Sequence, residues 1–329
     1  MTQARFDCSP EACPPGKAAG VARSGSLGKA MLVLGLGLAI VLAQRRVAPG
    51  APQEARTLIE QGFEMLRRGE TVSAERAFRE ALAMDPQLGE GHLGLGQVRL
   101  AQHRLPEAKQ ELREAVRLSP NSAAAHAALA GVLLRMGEEG EARRLLEKVV
   151  VLDPHDIESR FQLALLRAEA GEAKRSVELL KEIVKQRPDH DAAREQLGLH
   201  ALRRGDAEGA AEHANTILRR KPQAPEGHRL MALVLWRQRD TEGALAECAQ
   251  ALAEDPDSVA MMALQAVGLW KLNQKKEAQQ ALLRAHKAQP HIIKSEVLCR
   301  LILCNTADIS LVQDFLRKSR WVLLPVNGP

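Results

Sequence analysis

A proline returns every 34 residues, at Pro86, Pro120, Pro154, Pro188, Pro222, Pro256 and Pro290. Seven copies of one spacing without an insertion limit the fold more than any other feature, because they demand one structural unit repeated, each copy touching its neighbours. The first unit, 55–88, reads as two short amphipathic helices. Leu58, Gly62 and Met65 fall at i, i+4 and i+7 on one face of the first helix, and Ala74, Phe78 and Ala81 do the same on the second. Gly69 separates the two, and Pro86 stops the second because it has no N–H with which to continue the ladder.

Two further columns keep the same register. The eighth place of the units is small throughout, as Gly62, Gly96, Ala130, Ala164, Gly198, Ala232 and Ala266. The twentieth is small as Ala74, Ala108, Ala142, Ser176, Ala210, Ala244 and Ala278. Small side chains at fixed places let helix backbones approach where they cross. A helix–turn–helix unit with this period, these two small places and a closing proline resembles the tetratricopeptide repeat. The resemblance covers residues 55–292 and implies an all-α, right-handed α-solenoid of about seven repeats, at 55–88, 89–122, 123–156, 157–190, 191–224, 225–258 and 259–292. Turns are predicted near Gly69, His103, Gly137, Gly171, Gly205, Arg239 and Asn273. The departure lies at the fourth place, where the family's usual Trp is Leu58, His92, His126, Arg160, Arg194, His228 or Met262.

Composition fits a stack of close helix pairs. Aromatics make up 2% of the 329 residues and Tyr is absent, as an Ala/Leu core requires little bulk. The formal charge is +5, but the first 54 residues hold six of the 46 Lys/Arg and three of the 41 Asp/Glu. The remainder carries 40 against 38, without the basic footprint that phosphate binding needs, so nucleic acid is not an expected partner.

Residues 1–25 are aperiodic and are read as a disordered tail; its Cys8 and Cys13 have no further Cys or His near them and make a weak metal signal. Residues 26–44 contain the apolar run Ala30 to Ala43, bounded by Lys29 and by Arg45 and Arg46, and are read as a single membrane-spanning signal-anchor helix. Two other readings stay open: a signal-peptide core cleaved after Val41-Leu42-Ala43, and a soluble apolar helix. Flanking charges are nearly balanced. The repeats are placed on the extracytoplasmic side, with the cytoplasmic side or secretion after cleavage as alternatives. Residues 45–54 are read as a linker. Cys248 falls in a core column, and Cys299 and Cys304 lie on one predicted helix, so no disulfide framework is expected. After Pro290 the pattern decays, and 293–329 are read as a degenerate eighth repeat, with helices at 294–304 and 308–319, that caps the stack before a short tail bearing Trp321 and Leu323.

No catalytic, cofactor or metal motif stands out. Gly35–Gly37 and Gly94–Gly96 follow no strand, so neither reads as a phosphate loop. His92 and His126 share the fourth place of adjacent units, a position read as helix packing rather than as ligation. The chain therefore reads as non-enzymatic, with no small-molecule substrate.

What remains is the surface of the stack. In the family the sequence resembles, first helices line a concave groove with places 2, 5, 9, 12 and 13. Mapped here, these places supply Phe63, Leu66, Leu100, Arg135, Phe161, Leu165, Leu202, Arg203, Arg229, Leu233, Trp236, Arg237, Trp270 and Lys271 as candidate contacts. Of the five aromatics in 55–292, all but Phe78 map to this face. Trp236 and Trp270, 34 apart, are read either as ligand anchors, which requires them to be partly exposed, or as packing between first helices. The thirteenth place is basic in five units (Arg67, Arg135, Arg203, Arg237, Lys271), which suits an acidic ligand or simply the helix dipole. No unit has the ninth-place Asn of the family's carboxylate clamp. Two functions follow from the resemblance. One is a membrane-tethered scaffold that binds a peptide or helix of another protein and assembles an envelope or membrane complex. The other is a regulatory or substrate-presenting subunit of an enzyme, such as a glycosyltransferase, on another chain.

Overall fold

The computed structural model describes residues 51–290, Lys294, Cys299, Ile302 and residues 306–319. The expected tail, the apolar segment 26–44, the helix at 294–304 apart from those three residues, and Trp321 with Leu323 lie outside the described residues. The chain divides into a unit Met1–Glu54 and a unit Ala55–Pro329, and the stack belongs to the second.

Fourteen helices alternate in first and second positions: Ala51–Arg67 and Thr71–Met84, Gly89–Ala101 and Leu105–Leu118, Ala123–Arg135 and Glu139–Leu152, Ile157–Glu169 and Ala173–Gln186, Asp191–Arg203 and Ala207–Arg220, Pro225–Arg237 and Thr241–Glu254, Val259–Lys271 and Lys275–Ala288. A fifteenth, Thr306–Lys318, follows, and no strand occurs among the described residues. The all-α stack of helix pairs is as the 34-residue period predicts. The first helix starts at Ala51, inside the stretch read as linker. Pro52 is compatible with this start because the N–H it lacks has no intrahelical partner in a first turn.

The seven predicted turns are marked by one shared backbone feature. Gly69, Gly137, Gly171 and Gly205 have φ between 75° and 86°, and His103, Arg239 and Asn273 take the same left-handed region at 59°, 69° and 62°. In each turn the residue after this one donates its N–H to a carbonyl five residues back, as Glu70 does to Met65 and Arg104 to Arg99, which closes the helix end. Side-chain caps follow at some starts: Ser122, Asp156, Asp206 and Asp240 accept the third N–H of the helix they precede.

Each second helix packs against its own first helix and against the first helix of the next unit. The small columns sit at these crossings and are buried throughout. Phe78 shows what the glycines make room for. A Cβ on Gly62 would come within 2.6 Å of its ring and one on Gly94 within 2.3 Å, so the ring is clamped between its own unit and the next. Gly96 makes the same kind of room for Leu112, and Gly198 for Leu230. Ser176, the one polar residue in its column, is satisfied across the crossing by donating to the Ala164 carbonyl at 2.7 Å. Cys248, at the place held by Phe78 and Leu112 in earlier units, is a free, buried thiol, pushed up to about 12 by burial. Ion pairs between second helices, Arg113 with Glu141 and Arg143 with Glu172, repeat on the outer side of the stack.

The helix Thr306–Lys318 packs against the first helix of unit seven. Phe315 lies 5.0 Å from Trp270 between ring centroids, and Asp308 accepts from Arg239 Nη1 at 3.0 Å, in the turn of unit six.

Candidate protein-binding face

The places expected to face a ligand separate into two groups along the chain. In units one, two and four, Phe63, Leu66, Leu100, Phe161 and Leu165 are half-buried apolar side chains on the first helices. They are held in place from below. Phe63 stands edge-on to Phe78 at 5.0 Å, and Phe161 tilts against His190 at 5.0 Å. His190 in turn fixes the start of the next helix, its Nδ1 accepting from the Ala193 N–H at 3.1 Å. These side chains present apolar surface that the fold itself leaves unfilled.

In units five to seven the apolar candidates are closed. Leu202 is 1% exposed and Leu233 5%. Trp236 and Trp270 are 3% and 9% exposed, the burial that the packing alternative requires. The cause is local. Phe315 covers Trp270, the Lys271 ammonium stands 5.0 Å over the Trp236 ring, and both indoles join one core cluster with Val312 and Phe315. The Trp236 indole N–H is buried without a hydrogen-bond partner, so no hydrogen bond fixes this ring.

The charged candidates also divide. Arg135 and Arg203 are exposed in the last turn of their helices. Arg67 is engaged with Glu64 one turn earlier, and Lys271 with Trp236. Arg237 is half-buried. Arg229 is not a cation held out to a ligand. Its guanidinium donates through Nε and Nη2 to the two carboxylate oxygens of Glu195 at 2.9 Å each, and through Nη1 to Asp255 at 3.1 Å. Burial pushes the Glu195 carboxyl above its ordinary range, and the bonds from Arg229 offset part of that. The same bonds raise Arg229 further. Glu195 was missed in the sequence, although the signal was present: a carboxylate and a guanidinium 34 residues apart occupy the same place on neighbouring units.

The histidines at the fourth place take separate partners. His92 Nδ1 lies 2.8 Å from Glu111, His126 Nδ1 lies 2.8 Å from the Ser122 carbonyl, and His228 is held by Glu247 and the Pro222 carbonyl. Among the described residues no three His, Cys, Asp or Glu converge as metal ligands. His200 Nε2 lies 3.2 Å from the buried Ser176 hydroxyl, and burial pushes this histidine below its usual range. Because the Ser176 hydroxyl already donates to Ala164, this contact is core packing and not an activated nucleophile.

Two family models match the chain. The Cilia and flagella-associated protein 70 middle TPR-like domain matches residues 35–149, and the Tetratricopeptide repeat model matches 161–225 and 229–291. No curated protein matches significantly. Solved structures share the fold. A tetratricopeptide repeat protein from Parabacteroides merdae ATCC 43184 is 16% identical with a TM-score of 0.61, over 80% of this chain and 99% of that one. The Pseudomonas aeruginosa pilF structure is 18% identical with a TM-score of 0.55, over 63% and 94%. The APC/C hetero-tetramer Cut9-Hcn1 is 14% identical with a TM-score of 0.59, over 88% of this chain and 52% of that one.

Proposed function

We propose, on the premise that this chain is built of tetratricopeptide repeats, that it is a non-catalytic scaffold holding a segment of another protein against the first helices of units one to four. The observation that carries this reading is the set of half-buried Phe63, Leu66, Leu100, Phe161 and Leu165 on the first helices of units one, two and four. An apolar stripe that the protein's own core leaves uncovered supplies affinity, and the exposed guanidiniums of Arg135 and Arg203 at its edge select acidic flanks. The apolar stretch at 26–44 supports a membrane tether, and so a role in assembling a membrane or envelope complex.

Two variants test the reading. Phe161→Ser with Leu165→Ser removes apolar area from the face while leaving the buried crossings intact. It is expected to lower retention of a bound partner at least tenfold with a small change in melting temperature. Trp236→Ala, which empties a core position, is expected to lower the melting temperature first. Unchanged retention by the double variant would count against the proposed face.

A further inference from the structure

We infer that the helix Thr306–Lys318 is a built-in occupant of the first-helix face at units six and seven, and that it displays the chemistry of the segment able to take its place: an amphipathic helix with a carboxylate at i, an aliphatic side chain at i+4 and an aromatic at i+7. The inference rests on the proposed binding face and names its ligand class.

The contacts define that pattern. Asp308, Val312 and Phe315 are spaced at i, i+4 and i+7, so they share one helix face, and all three are buried. Phe315 lies on Trp270, which occupies the place filled by Leu66 and Leu100 in earlier units. Asp308 reaches Arg239, 69 residues back in the turn of unit six, so the helix bridges two units. The opposite face of the helix is solvated. Ile309 is exposed, and Arg317 and Lys318 pair with Asp314 inside the same helix.

The helix therefore uses the chemistry expected of a ligand on this face, with an apolar stripe for affinity and a carboxylate for the basic rim. Because it is tethered, it competes at high effective concentration, and a foreign helix of the same pattern must displace it. Units one to four, whose face is half-open, are then available at all times, while units six and seven open only to a helix that outcompetes the tether.

The full-length chain tests this, with Trp321→Phe throughout so that Trp236 and Trp270 are the only indoles. Asp308→Ala with Phe315→Ala releases the helix, and Arg239→Gln, in an exposed turn, weakens the clasp without touching the core. Circular dichroism checks that each variant keeps its helices. The probe is a fluorescent peptide of residues 306–319. Acrylamide quenching of the indoles is expected to rise on release. The peptide is expected to bind the Asp308→Ala, Phe315→Ala chain at least tenfold more tightly than the parent chain, with Arg239→Gln between them in quenching. A peptide carrying Phe315→Ala is expected to lose at least tenfold. Equal quenching in parent and released chains, equal peptide affinity for both, or equal affinity of the two peptides each overturns the inference. No step needs a partner protein, so a face that holds no foreign protein still gives the peptide result, and the two failures read separately.

Discussion

At the scale of single residues, the stack is decided by how closely helices cross. Glycines of one residue type have opposite meanings here, and the space around them tells which is which. Gly94→Ala would drive a Cβ into the ring of Phe78, a rigid and fully buried neighbour. Overpacking of this kind costs roughly 1–3 kcal/mol, against a gain of up to about 1 kcal/mol from the better helix propensity of Ala, so a net loss is expected in urea denaturation. Gly131→Ala is the control, because its Cβ meets nothing within 4 Å and only the propensity gain of about 0.5–1 kcal/mol remains. Loss of stability in both variants would mean that crossing distance is not the limiting quantity. The Arg229–Glu195 pair is a second test. Arg229→Leu leaves Glu195 buried without its partner, a change expected to cost about 3 kcal/mol, and Glu195→Gln in the same chain is expected to restore most of it. Additive losses would contradict the pairing.

Much of this was legible, because a column of small residues at fixed spacing has one physical meaning. What the sequence hid was which apolar places the fold covers. Leu66 and Trp236 share the twelfth place, yet Leu66 is half-buried and Trp236 is closed. Periodicity assigns a residue to a face of its helix. It says nothing of Phe315 and Val312, which arrive from 40 or more residues along the chain to join the cluster that holds both indoles.

At the scale of the helix, each pair is defined by a single left-handed residue at its turn. The seven turns were readable because glycine marks four of them and the register gives the other three. The non-glycine turns carry a conformation that L-residues adopt only at a cost. His103, with φ 59° and an exposed side chain, is the simplest to relieve. His103→Gly is expected to raise stability by a few tenths to about 1 kcal/mol, and Gly137→Ala to lower it by about 1 kcal/mol or more, because the new Cβ is strained at φ 75°. Thermal unfolding of the two variants reads both signs, and a stabilising Gly137→Ala would show that the turn relaxes away from this geometry. The C-terminal helix is the element whose docking periodicity does not give. Its boundaries were close, at 308–319 against Thr306–Lys318, but an amphipathic face does not say what it covers. The contacts to Trp270 and Arg239 do.

At the scale of the whole molecule, the proposed role depends on a face that runs across several units. Among the described residues no helix is long and apolar enough to cross a membrane, and the stretch that motivates a tether, 26–44, lies outside them. Retention of full-length protein in the pellet after alkaline carbonate extraction is expected for an anchor, and release of the unprocessed chain would remove that part of the proposal. The binding face itself is tested most directly by placing a photo-crosslinking amino acid at single positions in cells. Leu100 and Leu165, half-buried on the first helices, report on the face, and Val151, 79% exposed on a second helix, reports on the opposite side. The expected result is that Leu100 and Leu165 crosslink to one continuous segment of the same partner protein while Val151 does not. Crosslinks of equal yield from all three positions, or from Val151 alone, would contradict it.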